Sequence, residues 1–332
     1  MSPDVAIYTT PPEALIELLQ THHLPHALPL LRRLRFTRFP GGITASSRIL
    51  FSCPSPSPSS SALSGTHDGP FAAAYLDLSR GPETELWLYA SLECRPDYLA
   101  VAASVGLAGT QAKAQVEGGK GVANEEASAV CAHAILREVR RQRDAYSEER
   151  RALATVVAGT LSETLRMALL NQGVVFADVS VYDKWMFRVD GLPDVRSPLE
   201  EGMRWDKFHR EDIPLMLSRT NINRKERTIV LLPSMAVYRD DNTPVAWAIM
   251  GPDSSLSGLH CEEEFRGKGF AKAVAVKILR ERLKDYDDDG HCWADVAPDN
   301  TQSQGVCKSL GGKVAWAISW SRIDLDRSFP DQ

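Results

Sequence analysis

The sequence predicts an α/β (α+β) fold in which a mixed central sheet is flanked by helices, with the chain arranged as two domains. The chain has 332 residues, 43% hydrophobic and 24% charged, a size and composition that suit about two globular domains. Short apolar runs typical of strands alternate with a few helical stretches, most clearly after residue 203. A segment rich in Pro, Gly and acidic residues, 191–202, separates the halves. We therefore expect an N-terminal domain over 1–190 and a C-terminal domain over 200–325.

The elements of the N-terminal half follow from apolar periodicity and turn residues. Helices are predicted over 12–20 and 28–34, and a hairpin is predicted from the apolar runs FAAAYLDL and ELWLYASL, which are joined by SRGPET. Two long helices are predicted over 125–146 and 149–171, and VVFADVSVYDKWMFRVDGLPD predicts one or two strands ending in a turn. Two stretches, one rich in Ser and Pro near 52–70 and one rich in Gly and Ala near 105–124, predict mobile surface loops.

The C-terminal half begins with a strand at MRWDKF, followed by a helix opened by Asp212. The runs SMAVYRD, VAWAIM and LSGLHC predict three consecutive strands. A long helix over 269–286 comes next, with Phe270, Val274 and Ile278 on one side, as expected of a helix packed on a sheet. The order ends with a strand at CWADV, a helix over 300–310 and a strand at KVAWAISW.

Charge and cysteine usage exclude several classes of function. The formal net charge is −5, whereas nucleic-acid-binding proteins usually carry a clustered basic surplus, so no nucleic-acid partner is expected. The six cysteines form no CxxC pair, which is typical of reduced intracellular thiols. No apolar run is long enough to span a membrane, and the N-terminus does not resemble a leader sequence. We expect a cytoplasmic location, with the nucleus left open; nothing in the sequence predicts the oligomeric state.

The segment RGKG lies between the strand LSGLHC and the long helix. The first N–H groups of a helix have no intrahelical partner, and the helix dipole adds partial positive charge there, so an anion is expected at this position. Glycines at 267 and 269 allow close backbone approach, and Arg266 and Lys268 add charge. A Walker loop requires Ser or Thr after the lysine, where Gly269 stands, and a dinucleotide fingerprint requires Gly or Ala where Lys272 stands.

The pattern R-x-x-G-x-A, formed by Arg266, Gly269 and Ala271, resembles the pyrophosphate-binding turn of GCN5-related N-acetyltransferases, the GNAT superfamily. The later segment DVAPDNTQSQGVCKSLGGK resembles the superfamily pattern N-x-x-A-x-x-x-Y-x-x-x-G-F, with Asn300, Ser303 in the Ala position, Leu310 and Gly311 in matching places. The resemblance covers about 203–320. Within the superfamily the C-terminal half looks most like the glycine N-acyltransferase branch, and the whole chain resembles fungal GNAT-domain proteins of unknown substrate.

The N-terminal half leaves two interpretations open, a degenerate second GNAT-like fold or an unrelated α/β domain. Its coarse order of elements is similar to the GNAT order. After ELWLYASL, however, the chain reads ECRPDYLAV, without R-x-x-G-x-A. If this half is a second copy, it is expected not to bind CoA.

The resemblance implies acetyl-CoA or another acyl-CoA as co-substrate and no metal. The implied cofactor-binding residues lie on the strand LSGLHC, on the turn and helix start, and at the start of the next helix: Leu259, His260 and Cys261; Arg266, Gly267, Lys268, Gly269, Phe270 and Ala271; Asn300 and Ser303. Leu259 and Cys261 hold the pantetheine arm in this scheme. His260 titrates near neutral pH, yet a structural role is favoured because alternation along a strand turns it to the opposite face.

Four residues are candidates for the catalytic chemistry. Asp295 stands where some superfamily members carry a Glu base; the alternative is a cap of the APDN turn. Ser255 and Ser257 occupy the base positions of strand four used elsewhere in the family, and either could hold a relay water. Cys307 stands at the position of the family's acidic Tyr, the alternative being a small core residue.

The predicted function is transfer of an acetyl or short acyl group from acyl-CoA to a primary amine of a small molecule or amino acid, directly within a ternary complex. The missing Tyr and strand-four carboxylate keep a CoA-binding sensor or scaffold open as an alternative, and a protein or peptide acetyltransferase is a third interpretation. His22, His23 and His26 are close together, but no Cys or carboxylate completes a metal site, so a surface turn between helices is expected. The absence of G-x-S-x-G argues against a serine hydrolase.

Overall fold

A computed structural model describes residues 3–54, 69–94, 120–151, 153–220 and 222–330. The chain divides into two compact units. Unit 1 consists of Met1–Thr37, Ile43–Tyr182 and Trp316–Gln332, and unit 2 of Arg38–Gly42 and Asp183–Ala315.

The sequence predicts two contiguous domains, 1–190 and 200–325, whereas the units of the structure are interleaved along the chain. The last long strand, Lys313–Asp324, contains the return from unit 2 to unit 1. Its residues Ile318–Asp324 pair antiparallel with a strand of unit 1, Thr155–Ser162. This pairing brings the C-terminal segment into the N-terminal unit.

Unit 1 contains a mixed sheet with helices on both faces. Its strands are β1 (Val5–Tyr8), β2 (Ser47–Ser52), β3 (Ala72–Asp77), β4 (Leu86–Ala90), β5 (Thr155–Ser162) and the second part of β12 (Lys313–Asp324), in the order β1-β2-β3-β4-β5-β12. Its helices are α1 (Glu13–His22), α2 (Leu28–Phe36), α3 (Lys120–Tyr146), α4 (Glu148–Arg151), α5 (Glu163–Asn171) and α10 (Leu325–Ser328). The β4–β5 pair is parallel and the others are antiparallel.

Alternation along β2 and β3 separates two cores in unit 1. Phe51 and Tyr75 pack with Leu15 and Leu31 on the side of α1 and α2. Leu50, by contrast, packs on the side of α3 with residues such as Ile135. Both faces of these strands are buried, which explains why AAAYLD is a nearly continuous apolar run.

The predicted helix over 149–171 is wrong. The structure has the short helix α4, the strand β5 and then α5 over Glu163–Asn171. The β5 sequence TVVAGTLS is rich in β-branched residues, which favour a strand, and Gly159 allows the close approach of Trp320, whose ring would be 2.8 Å from an added Cβ. Tertiary pairing with β4 and β12 therefore decides this segment.

The two predicted surface loops fall largely outside the described residues, since 55–68 and 95–119 are not described. The end of the second loop, 120–124, is helical and forms the start of α3. The helix predicted from residue 125 thus begins five residues earlier.

Unit 2 follows the predicted order of elements. Its strands are the second part of β6 (Val175–Arg188), β7 (Met203–Asp206), β8 (Ser234–Arg239), β9 (Pro244–Met250), β10 (Leu256–Cys261) and β11 (His291–Val296), and its helices are α6 (Ile213–Ser218), α7 (Glu226–Ile229), α8 (Phe270–Arg282) and α9 (Thr301–Ser309). One antiparallel sheet has the order β10-β9-β8-β7, and β11 pairs antiparallel with β6. The short helix α7 was not predicted. The expected α/β fold with a mixed sheet flanked by helices is confirmed.

The histidines between α1 and α2 do not form a surface turn, because His23 and His26 are buried within unit 1. His23 Nδ1 lies 2.9 Å from the Tyr89 hydroxyl, and the His26 ring lies 4.4 Å from the Trp316 ring. Burial lowers the pKa of His26 to about 4. Within the described residues, no cluster of His, Cys, Asp or Glu could hold a metal ion.

Acidification should weaken unit 1 through His26. Between pH 6.5 and about 4 the unfolded chain binds a proton that the folded protein does not, so stability falls as pH falls through this window. At pH 5 the loss from this group should be about 2 kcal/mol. Urea unfolding at pH 7 and pH 5 measures this change in the free energy of unfolding. The variant His26→Gln, whose side chain does not titrate, should lose less stability over the same interval. An equal loss in both proteins would contradict the assignment.

Candidate active site

The turn between β10 and α8 has a backbone that only glycine adopts easily. After Cys261 a short 3-10 segment, Glu263–Phe265, leads into the turn, where Gly267 has φ +77° and Gly269, the N-cap of α8, has φ +89°. These are left-handed conformations, which side chains with a Cβ disfavour. A Cβ built on either glycine would meet no atom of the described residues within 4 Å. The glycines are therefore required by conformation, and open space lies beside them.

The start of α8 presents its first amides without a side-chain cap. The first helical hydrogen bond runs from Ala273 N to Gly269 O at 3.0 Å, and no side chain in the described part of the chain caps the helix. The amides before Ala273 are thus available to an anion at the positive end of the helix dipole. The buried ring of Phe270 packs edge-on against Phe265, with ring centroids 5.7 Å apart, and so anchors the helix start.

Two cations flank the turn. Arg266 is exposed and donates from Nε to Cys261 O at 3.2 Å. Lys268 Nζ lies 3.3 Å from Glu200 Oε1, with both side chains about half exposed. Such exposed pairs contribute little stability, so Lys268 can exchange this partner for a bound anion.

β10 has one edge without a strand partner among the described residues. It pairs with β9 alone, and this pairing shifts register between Ser257 and His260, where Gly258 has φ +56°. β11 contacts β10, but within the described ranges its one strand partner is β6. The two strands therefore face each other with unpaired edges, and their backbone groups can receive an extended ligand as an added strand would.

The two faces of the sheet carry different candidate residues. One face carries four residues that lie opposite one another across the strands: Cys261, Ala246, Val237 and Trp205. Lys277 Nζ of α8 lies 5.4 Å from the centre of the Trp205 ring, so α8 covers this face. Leu259 shares that direction by alternation.

His260 points to the other face, as the alternation predicts. It pairs in register with Trp247 and stacks on its ring at 4.7 Å. Its Nε2 lies 3.6 Å from Glu262 Oε2, and burial lowers its pKa.

Asp295 lies on β11 directly opposite Lys184 of β6. Lys184 Nζ is 2.7 Å from Asp295 Oδ1, and the side chains are only 1% and 7% exposed. The ammonium also lies 3.4 Å from the centre of the Trp293 ring. Asp295 is therefore one half of a buried ion pair. It is not the cap of the following helix, because Asn300 takes that role by accepting from Ser303 N at 3.0 Å.

Cys307 is the buried residue of α9, and burial raises its pKa to about 12. The helix lies on the face of β6 that carries Trp185, whose ring is 5.9 Å from Lys308 Nζ. Lys184 precedes Trp185 and so points the other way, together with Asp295. The candidate acid and the candidate base therefore lie on opposite faces.

Ser255 lies in the turn between β9 and β10. Its hydroxyl donates to the buried Asp253 Oδ1 at 2.7 Å, so in a water relay it would act as an acceptor. Ser257, on β10 itself, accepts a hydrogen bond from Arg224 Nη2 at 2.5 Å.

Comparison with known proteins identifies the chain. A family model described as "Acyl-CoA N-acyltransferase verG N-terminal domain" matches residues 3–185, more than half of the sequence. The chain belongs to this family of acyl-CoA N-acyltransferases, within the GNAT superfamily. A second model, "FR47-like protein", matches residues 236–321, a range that includes the glycine turn. No curated protein matches the chain.

Three solved structures align with nearly the whole chain at low sequence identity. A Drosophila protein aligns with a TM-score of 0.59 at 10% identity, covering 94% of this chain and 95% of its own. A tandem GNAT protein from the clavulanic acid biosynthesis pathway aligns at 0.46 and 12% identity over 99% and 100% of the two chains. A GCN5-related N-acetyltransferase from Sphaerobacter thermophilus aligns at 0.42 and 14% identity over 98% and 97%. Only the first score is high enough to support the fold.

Sequence reasoning missed the partners that other segments bring to the candidate site. Lys184 and Arg224 both reach strands of the site from distant parts of the chain. A lysine inside the apolar run KWMF was a usable signal, because a buried lysine requires a partner. Nothing in the sequence around Arg224 distinguishes it from its charged neighbours.

Among the helices that the structure describes, none is long and apolar enough to cross a membrane.

Replacing Gly269 by Trp should abolish stabilisation by acyl-CoA, because the indole would fill the open space beside the turn. The control is Gly173→Trp in unit 1, a glycine of nearly the same φ, +85°, that also has open space beside it. Thermal unfolding with and without acetyl-CoA should show a ligand-dependent rise in Tm in the wild type and in Gly173→Trp, and none in Gly269→Trp. Retention of the rise in Gly269→Trp would place the ligand elsewhere.

Proposed function

We propose that this protein transfers an acetyl or short acyl group from acyl-CoA to a primary amine of a small molecule or amino acid, directly in a ternary complex. The observation that carries the proposal is the open glycine turn beside the unpaired edge of β10. The turn suits a pyrophosphate and the edge suits the amide-containing arm that follows it in CoA. A cytoplasmic location and the absence of a nucleic-acid partner belong to the same proposal.

The residues of the turn fit CoA in charge and in shape. Arg266, Lys268 and the amides from Gly267 to Ala271 would hold the pyrophosphate, while Leu259 and Cys261 offer backbone groups to the pantetheine arm. Asn300 and Ser303, at the start of α9, would contact the arm or the nucleotide. CoA itself supplies the acyl group as a thioester and departs as a thiol.

The reaction requires one proton to leave nitrogen and one to reach sulfur. The neutral amine attacks the thioester carbonyl carbon, a C–N bond forms, and the C–S bond breaks with its electron pair moving to sulfur. Asp295 would take the amine proton through water, and Ser255 would accept a hydrogen bond from such a water. Asp295 lies on the face opposite α9, so the amine is expected to approach from that face.

Cys307 is expected to donate a hydrogen bond rather than a proton. Its pKa of about 12 exceeds that of an ordinary thiol, about 8.5, so full proton transfer to a departing thiolate would be uphill. Solvent would then complete the protonation of CoA.

A CoA-binding sensor without turnover is the second candidate. Two of the predicted catalytic residues already have partners, which favours this candidate. Asp295 is ion-paired with Lys184, and the Ser255 hydroxyl donates to Asp253. Acetylation of a protein or peptide is a third, weaker candidate.

Purified protein incubated with acetyl-CoA and a panel of primary amines should release free thiol, measured colorimetrically, and should form the acylated amine, measured by mass spectrometry. Gly269→Trp should give neither product. Stabilisation by acetyl-CoA without thiol release for any amine would favour the sensor, and the absence of stabilisation would exclude both functions.

Asp295→Asn should lower kcat by about 100-fold or more while changing the KM for acyl-CoA little, the effect expected of a lost general base. It should also destabilise the fold by about 3–5 kcal/mol, because it leaves the Lys184 charge buried without its carboxylate. The double variant Lys184→Met with Asp295→Asn removes that charge, and so it should recover stability but not turnover. Recovery of turnover together with stability would assign the pair a structural role only.

A further inference from the structure

The segment GLPDVRSPLEEG, residues 191–202, connects β6 to β7 within unit 2 and is called the strap here. It contains no helix or strand. Three of its residues are acidic, Asp194, Glu200 and Glu201, and one is basic, Arg196. Because the strap has no regular structure of its own, its contacts with α8 and with the start of β7 decide its path.

The first part of the strap is held by Arg280, in the last turn of α8. Its Nη2 donates to Leu192 O at 2.9 Å and lies 3.1 Å from Asp194 Oδ1. Leu192 is buried, and its N–H donates to Val189 O at 3.2 Å. The strap therefore starts from a fixed position beside the C-terminal end of the helix.

The last part of the strap ends beside the glycine turn. The Met203 N–H donates to Glu200 O at 3.1 Å, which closes a turn into β7. Gly202 lies inside this turn with φ +77°, and a Cβ built on it would be 2.7 Å from Asp240 Oδ2. The turn therefore requires glycine, and it fixes the backbone of Glu200. From there the Glu200 carboxylate lies 3.3 Å from Lys268 Nζ.

The two sets of contacts place the strap alongside α8, with its acidic end toward the start of the helix. Arg280 and Phe270 are ten positions apart on α8, which corresponds to about 15 Å along the helix axis. The six positions from Asp194 to Glu200 span up to about 20 Å when extended. An extended strap therefore reaches from Arg280 to the glycine turn.

The Glu200 carboxylate pairs with a cation that a bound pyrophosphate would also use. Lys268 is one of the two cations assigned to the pyrophosphate, and both side chains of the pair are about half exposed. A phosphate close to Lys268 would also lie close to Glu200, and like charges at such a separation repel each other. Because the Glu200 backbone is fixed, rotation of its side chain is the movement that releases Lys268.

We propose that the strap is an autoinhibitory element of the glycine turn, in which Glu200 pairs with Lys268 until the pyrophosphate of acyl-CoA displaces it. The inference rests on the proposed function, since it concerns the regulation of the same CoA turn. The pairing weakens acyl-CoA binding by the same factor by which acyl-CoA weakens the pairing. The strap thereby raises the acyl-CoA concentration at which the site fills.

The test measures the Kd of acetyl-CoA by isothermal titration calorimetry at low ionic strength in the wild type, Glu200→Gln and Glu201→Gln. Each variant loses one negative charge and keeps the shape of the side chain. Glu201→Gln is the matched control, because it changes the adjacent, exposed position. The difference between the two variants therefore reports the contact of Glu200 with Lys268 and not the general attraction of an anion.

Glu200→Gln should bind acetyl-CoA about 2- to 5-fold more tightly than Glu201→Gln, the range expected for the loss of an exposed ion pair. The difference should shrink at high salt, because salt screens exposed charges. It should also disappear when both changes are made in a Lys268→Gln background, since the pair is then already broken. Thermal unfolding without ligand checks that every variant is folded.

Two outcomes overturn the inference and leave the proposed function standing. One is an equal Kd for Glu200→Gln and Glu201→Gln, or a weaker affinity in Glu200→Gln. The other is an effect of Glu200→Gln that persists in the Lys268→Gln background, because Glu200 would then act without the ion pair. If acetyl-CoA binds neither the wild type nor any variant, the proposed function fails, and the inference fails with it.

Discussion

The left-handed backbone at Gly267 and Gly269 is the constraint on which the site depends. It begins α8 and points the first helical amides into space that no described residue fills. A residue with a Cβ could occupy that space but would strain the backbone by roughly 1–2 kcal/mol. The requirement for glycine is therefore conformational, and the available anion site follows from it.

The sheet of unit 2 then divides the chemistry between its faces. On one face lie α8 and α9, with Cys261 of β10 turned toward this side and Cys307 buried within α9. On the other lie His260, Ser257 with Arg224, and the Asp295 and Lys184 pair. Because side chains alternate along a strand, a single strand contributes to both faces without a change in its path. This division separates the place where CoA is expected from the place where an acceptor is expected.

The end of β4 in unit 1 differs from the end of β10 in unit 2. The parallel pair β4 and β5 is joined in register at Leu86 and Ala158. Beyond β4 the carboxylate of Glu93 accepts the backbone N–H of Ala90 at 2.9 Å. In unit 2, β10 is followed instead by the glycine turn with its cations Arg266 and Lys268. A buried carboxylate at this place opposes a phosphate, in agreement with the missing R-x-x-G-x-A after ELWLYASL.

The sequence by itself determined the elements of unit 2, the glycine turn and the GNAT family, because each rests on local signals: alternation, helical periodicity, and a motif whose residues are adjacent. It misassigned 149–171, where pairing with β4 and β12 decides that part of the segment is a strand, and it placed two buried histidines on the surface. Only the tertiary structure decided that Lys184 faces Asp295 and that Arg224 meets Ser257. These residues are 111 and 33 positions apart in the chain, and a contact at such separation is set by strand register and helix placement, which no local pattern encodes.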